Sequence, residues 1–286
     1  MDLAEMFQFT TGTTAGRTHR VDRNLKNNQD AVTSVKTGLL HLGTVSDGCG
    51  SQPHSEYGAR YLVNKLPKLI AGRYRPGMTL DQEFFDALYP VLIRHMRVKV
   101  RSEFLNPREA FDTHMMATVG GVVMTPEMTT FYGAGDFFIR YNNEVVFWAP
   151  EEGNKPLYPA LSIAFPGDPR FRFRTLLIPT AELTQFLFAT DGGKDLAGIC
   201  GDDEEYIPGT EDTPVGPISQ VWANDAFYTG VPHPKTPTTG PEEVGAWLNT
   251  LARDFRMPGP ANHGGILPDD TTFFAARRRP KENVSA

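Results

Sequence analysis

The chain has 286 residues, 40% of them hydrophobic and 22% charged, with a formal net charge of −6. That is ordinary globular composition, sized for one large domain or two small ones, and the acidic balance argues against a nucleic-acid-binding face. No apolar run approaches the roughly 20 residues of a membrane span, and Cys49 and Cys200, outside any CxxC spacing, form neither a disulfide framework nor a zinc ladder. The start, MDLAEMFQFTTGTT, lacks a basic region followed by an apolar stretch, so no signal peptide is expected. The expectation is a cytoplasmic monomer that partners neither nucleic acid nor membrane.

Residues 38–46 (GLLHLGTVS) read as a strand ending at Asp47. Residues 55–70 carry Tyr61, Leu62, Leu66, Leu69 and Ile70 at helical spacing, with Pro67 as a candidate bend or break. The run Thr79-Leu80-Asp81-Gln82 reads as a capping box in which Thr79 caps and Gln82 reaches back. Phe84, Phe85, Leu88, Val91, Leu92, His95 and Met96 then form an apolar stripe, on which His95 reads as a packed histidine rather than a ligand. Three β-rich runs follow: MMATVGGVVM, TTFYGAG and FFIRYNNEVVFW, the last folded as a hairpin at Asn142-Asn143. Residues 149–169 read as a loop, and 171–178 and 183–190 as strands. Residues 200–239 form an irregular excursion rich in Pro, Gly, Asp and Thr. A helix starts at Gly240-Pro241-Glu242-Glu243 and runs to about Phe255. Residues 271–276 are a last strand, and 277–286 a polar basic tail. Strands and helices are grouped rather than alternating, which predicts an α+β fold.

The pattern that carries chemistry is a strand running into acid plus glycine. It occurs at HLGTVS-Asp47-Gly48 and at LTQFLFAT-Asp191-Gly192, with a related form at TTFYGAG-Asp136. Such a strand places a carboxylate at a sheet rim, and the glycine lets the backbone turn and approach a ligand. Carboxylates gathered at one rim repel unless they share protons or a cation, and oxygen-only ligands select Mg2+ or Mn2+ over zinc. A single Asp-Gly is only a common turn dipeptide; the recurrence is the signal.

Five short motifs stand in one order along the chain: Asn28-Gln29-Asp30-Ala31, VSDGCGS ending at Ser51, Ala134-Gly135-Asp136, ATDGGKD ending at Asp195, and Asp269-Asp270-Thr271-Thr272. With SEYGARYLV after the second motif and MATVGGVV before the third, this series resembles the protein phosphatase 2C family, and the wording of residues 16–31 resembles its bacterial branch. The resemblance implies a four-layer α-β-β-α sandwich, two antiparallel sheets flanked by helices, with the metal site at the sheet rim. It implies a catalytic domain over residues 1–276. It further implies a protein serine/threonine phosphatase in which two Mn2+ or Mg2+ ions activate a water against a phosphorylated protein substrate.

In that reading Asp30, Asp47, Asp191 and Asp269 are the catalytic metal ligands. Asp47 bridges both ions with the Gly48 carbonyl beside it, and Asp136 and Asp195 match the positions of a third ion. Asp270 matches a position with a hydrogen-bonding role. The sequence departs from the family pattern at Gln29, where many relatives have Glu, and at Leu25, where many have a phosphate-gripping arginine. Arg20, Arg23 and Lys26 are candidates for that grip, and His19 and His54 for the proton donor. The departures leave two alternatives: a catalytically weakened regulatory or binding module, or a phosphatase of a small phosphorylated metabolite. Cys49 reads as a small buried residue, residues 202–205 as a solvated acidic turn, and the Arg277–Arg279 run as a solubilising terminus.

Overall fold

A computed structural model describes residues 2–16, 28–142, 144–149, 156–193 and 270–279. After a single turn of helix, α1 (Leu3–Met6), come β1 (Phe7–Thr14), β2 (Ala31–Thr37) and β3 (Leu40–Ser46). Helices α2 (Ser55–Arg73), α3 (Gln82–Glu103) and α4 (Pro107–His114) follow. Strands β4 (Val119–Met124), β5 (Met128–Ala134), β6 (Phe137–Tyr141), β7 (Glu144–Trp148), β8 (Arg174–Pro179), β9 (Gln185–Ala189) and β10 (Thr271–Arg278) complete the described elements.

The strands form two five-stranded sheets, ordered β1-β10-β9-β6-β7 and β2-β3-β4-β5-β8, and every pairing is antiparallel. One core lies between the sheets, with Phe7, Val45, Val122, Phe131, Phe137, Phe186, Phe188 and Phe274 all buried. A second core joins the outer face of the β2–β8 sheet to the helices through Leu42, Leu62, Leu66, Phe85, Leu92, Val123 and Tyr132. Strand β3 is therefore covered on both faces, and all seven of its residues are buried. Gly43 stands where the sheets touch: a Cβ there would lie 2.0 Å from the Phe274 ring. This is the α+β fold that the grouped elements predict, in the sandwich form that the family resemblance implies. The helix expected after residue 240 lies outside the described residues.

Helix α2 runs through Pro67 without ending. The ring removes one backbone hydrogen bond, but burial of Leu62, Val63, Leu66 and Ile70 along one face holds the helix together. The cap of α3 differs from expectation. Asp81, not Thr79, is the N-cap; its side chain accepts the Phe84 N–H at 3.1 Å. Gln82 donates instead to Asp86 and to the Phe173 carbonyl, each at 2.7 Å. Strands β6 and β7 pair as the expected hairpin, with Tyr141 opposite Glu144 and Asn142 at φ +48°, a conformation that tight hairpins favour; Asn143 lies outside the described residues. Strand β10 continues past Ala276 to Arg278, and Arg277 donates to Gln8 Oε1 at 3.0 Å.

Candidate active site

The acid-bearing motifs converge because their strands end at the same rim. Strand β3 delivers Asp47, β9 delivers Asp191, β10 begins just after Asp270, and Asp30 immediately precedes β2. Antiparallel register does the rest: Ala31 pairs with Ser46, setting Asp30 beside Asp47. The Thr190 amide donates to the Thr272 carbonyl at 2.9 Å, setting Asp191 beside Asp270. Gly192 is held so close to the start of β10 that a Cβ would lie 2.1 Å from the Asp270 carbonyl oxygen.

Asp30 is the hub. It is 5% exposed, and its Oδ2 accepts the Thr190 hydroxyl at 2.9 Å. Its own amide donates to Asn28 Oδ1 at 3.0 Å. Burial pushes the Asp30 carboxyl well above the usual carboxylate range, and the Asp270 charge adds to the shift. Hydrogen bonding with Asp47 and Thr190 opposes it, and the Asp191 charge reinforces it. Asp30 Oδ1 is buried and has no hydrogen-bond donor among the described residues. The side-chain oxygen of Gln29, the preceding residue, is also buried and donorless, while its Nε2 donates to the Gln52 carbonyl at 2.8 Å.

Asp47 is half-buried, and its backbone is fixed on both sides by Thr118. The Thr118 amide donates to the Asp47 carbonyl at 2.8 Å, and Asp47 N–H donates to Thr118 Oγ1 at 3.1 Å. Gly48 then bridges to Ala117. A Cβ on Gly48 would lie 2.6 Å from the Gln29 carbonyl and 2.8 Å from Ser55 Oγ, so only glycine fits between the Asp30 and α2 segments. Asp136 is 4% exposed in the β5–β6 turn. Arg174 fastens that turn by donating to the Gly135 carbonyl, while reaching the Ala149 carbonyl at 3.1 Å.

Tyr158, from the excursion between β7 and β8, reaches the same rim. It is 9% exposed and lies beside Cys49. Burial raises its phenol, with the Asp47 charge, the Cys49 contact and the Asp136 charge adding. Sequence reasoning missed it, because a tyrosine in a loop carries no periodic or motif signal. His54 lies at the exposed start of α2, its ring centroid 4.8 Å from that of His114. His19, Arg20, Arg23, Lys26, Asp195 and Asp269 lie outside the described residues.

Among the described residues no three His, Cys, Asp or Glu side chains close into a ready-made metal cage. The donor set still fits a hard cation. It is oxygen-only, it sets Asp47 and Asp191 against the buried Asp30, and among the described residues it leaves two buried acceptors without donors. A cation satisfies such acceptors where further protein donors would have to be buried as well.

Comparison with known proteins agrees with this geometry. A family model for protein phosphatase 2C matches residues 15–208, more than half of the chain. No curated relative matches the sequence. Among solved structures, a bacterial serine phosphatase superposes with a TM-score of 0.55 at 11% identity, covering 96% of this chain and 98% of that one. The serine/threonine phosphatase Stp1 from Staphylococcus aureus gives 0.52 at 13% identity, with 98% of each chain covered. A C. elegans sex determining protein gives 0.52 at 13% identity, covering 96% of this chain and 65% of that one. At these identities the likeness is one of fold. With its sandwich, its strand-end aspartates and the family match over 15–208, the chain belongs to the protein phosphatase 2C family.

Proposed function

We propose that the chain is a metal-dependent phosphatase that hydrolyses phosphoserine and phosphothreonine in proteins. The observation that carries this reading is the buried Asp30 hub, with Asp47, Asp191 and Asp270 acting on it and with donorless acceptors at its centre. In this reading Asp47 with the Gly48 carbonyl, Asp30, Asp191 and Asp269 hold two Mn2+ or Mg2+ ions, and Asp136 and Asp195 hold a third. The ions would supply Lewis-acid activation of water and neutralise charge on a phosphoryl group. The protein's own part is to hold the carboxylates in place before any ion arrives. Thr190 orients Asp30, Thr118 fixes the Asp47 backbone, and Arg174 fixes the Asp136 turn. Tyr158 stands beside Asp47, Cys49 and Asp136 at the same rim. Phosphate grip is assigned to Arg20, Arg23 or Lys26, and proton donation to His19 or His54.

Hydrolysis of p-nitrophenyl phosphate and of a phosphoserine peptide, with and without Mn2+, tests this. Turnover should need the metal, stop with EDTA, and fall on the order of a thousandfold in Asp47→Ala or Asp191→Ala. Full rates in either variant, or in chelated protein, would refute it. A second reading, a weakened regulatory module, is favoured by Gln29: a neutral amide directly precedes Asp30 and is tethered to the Gln52 carbonyl. Mn2+ binding without turnover of any phosphoester would select it. Turnover of sugar phosphates but not peptides would select a metabolite substrate.

A further inference from the structure

One carboxylate at this rim is already spoken for by backbone donors. Asp270 is 2% exposed. Its Oδ1 accepts the Gly16 N–H and its Oδ2 accepts the Gln29 N–H, each at 2.7 Å. The donors come from separate segments: Gly16 lies just past the end of β1, and Gln29 lies two residues before β2. Asp270 itself leads into β10, and the Asp191-Gly192 turn packs against its carbonyl. The side chain therefore ties the end of β1 to the approaches of β2 and β10, and the backbone carbonyl of the same residue packs on the turn after β9. A second tie runs alongside. Asn28 Nδ2 donates to Thr13 Oγ1 at 2.7 Å, and Thr13 Oγ1 pairs with Thr272 Oγ1 at 2.6 Å.

What hangs from the clasped backbone is the pair of donorless acceptors, Gln29 Oε1 and Asp30 Oδ1. Two buried acceptors on adjacent residues, one of them beside the Asp47, Asp191 and Asp270 carboxylates, keep their places only if their main chain is held. We propose that Asp270 is a positioning residue of the metal site: its carboxylate clasps the Gly16 and Gln29 amides and thereby holds Gln29 and Asp30 at the spacing an ion needs. The inference rests on the metal-dependent reading above. The need for a carboxylate follows from donor counting. Each oxygen takes one N–H, in charge-assisted bonds. An asparagine offers one acceptor oxygen and an NH2 that would face an N–H donor, so Asp270→Asn breaks one tie.

The full chain is prepared as wild type and as Asp270→Asn, and three quantities are read. These are amide exchange at Gly16 and Gln29 by NMR without metal, Mn2+ affinity by calorimetry, and kcat at limiting and at saturating Mn2+. The expected result for Asp270→Asn is roughly tenfold or faster exchange at one of the two amides. Mn2+ affinity should weaken by roughly tenfold, the scale of lost outer-shell support, and kcat should fall further at limiting than at saturating Mn2+. Unchanged exchange overturns the clasp. Faster exchange with unchanged Mn2+ affinity overturns the positioning role and leaves the metal reading standing. Wild-type protein that binds no Mn2+ overturns the metal reading and the proposal with it. Should the variant fail to fold, wild type alone decides. Coupling is reciprocal, so saturating Mg2+ should slow exchange at Gly16 and Gln29 more than at Ile139 in the β6–β9 ladder. Equal effects at the three amides overturn the proposal.

Discussion

Replacing Asp30 with Asn should separate stability from function. In metal-free protein Asp30 is a liability: burial and the Asp270 charge hold its carboxyl in the protonated form well above its ordinary range. An Asn keeps the acceptor for Thr190 Oγ1 and presents an amide donor to the Asp47 carboxylate. Where the Asp30 carboxyl has lost its proton, replacing that donorless acceptor by a bonded donor is worth about 1–3 kcal/mol, and each kcal/mol moves Tm by roughly 2–4 °C in a protein of this size. The pH dependence has a definite sign. The folded state holds the Asp30 proton above the ordinary value of 3.8, so the Asp30 contribution is fully present below that pH and lost as pH rises through the folded pKa. Wild type in EDTA should therefore gain stability on acidification across this window, and Asp30→Asn should lack that component. Added Mn2+ reverses the ranking: a ligand at a hundredfold excess over Kd contributes about 2.7 kcal/mol, which wild type gains and the variant does not. Thermal denaturation in EDTA and in Mn2+, at several pH values, reads all of this. An Asp30→Asn protein that is less stable in EDTA yet gains as much from Mn2+ as wild type would refute the reasoning.

Other expectations follow from single contacts. His41 is buried, stacked on Phe9 at 3.6 Å, with Nε2 at 3.0 Å from Ser34 Oγ and Nδ1 without a partner. Burial, with Lys36 adding and Asp2 opposing, lowers its pKa from 6.5 to about 4. The folded state resists protonation, so stability should fall as pH drops from about 6.5 to about 4, by about 3 kcal/mol at most. His41→Gln should flatten that part of the denaturation-versus-pH curve. Gly43→Ala drives a methyl into Phe274 and should lose about 1–3 kcal/mol by overpacking, read as a lower urea midpoint. Tyr158→Phe keeps the buried ring but removes the hydroxyl beside Cys49, Asp47 and Asp136. Phosphatase kcat/KM should fall roughly tenfold, about 1.4 kcal/mol, with Tm nearly unchanged, and equal kinetics would remove Tyr158 from the site.

The strands that carry the aspartates were legible because they are apolar runs that stop at acid and glycine, as at Ser46-Asp47-Gly48 and Thr190-Asp191-Gly192. Strands β1 and β2 were not. FQFTTGTT and AVTSVKT are polar and partly exposed, so pairing along a neighbour rather than apolar alternation makes them strands. The short helix α4 was missed for a similar reason, since only Ala110 within it is buried. The α3 cap was misplaced because Thr79 and Asp81 both suit the role, and the choice between them falls to how Gln82 meets Phe173 from a distant segment. At the site, motif order named the acids, but the clasp of Asp270 on Gly16 and Gln29 spans about the whole chain and leaves no local signature. Tyr158 was invisible for the same reason.

Anomalous diffraction at the manganese edge from crystals soaked in Mn2+ tests the central claim most directly. The account predicts strong peaks at the β3–β9–β10 rim, bounded by Asp30, Asp47 and Asp191 and lost in Asp47→Ala crystals. Peaks confined to other surfaces, or an empty rim at saturating Mn2+, would contradict it.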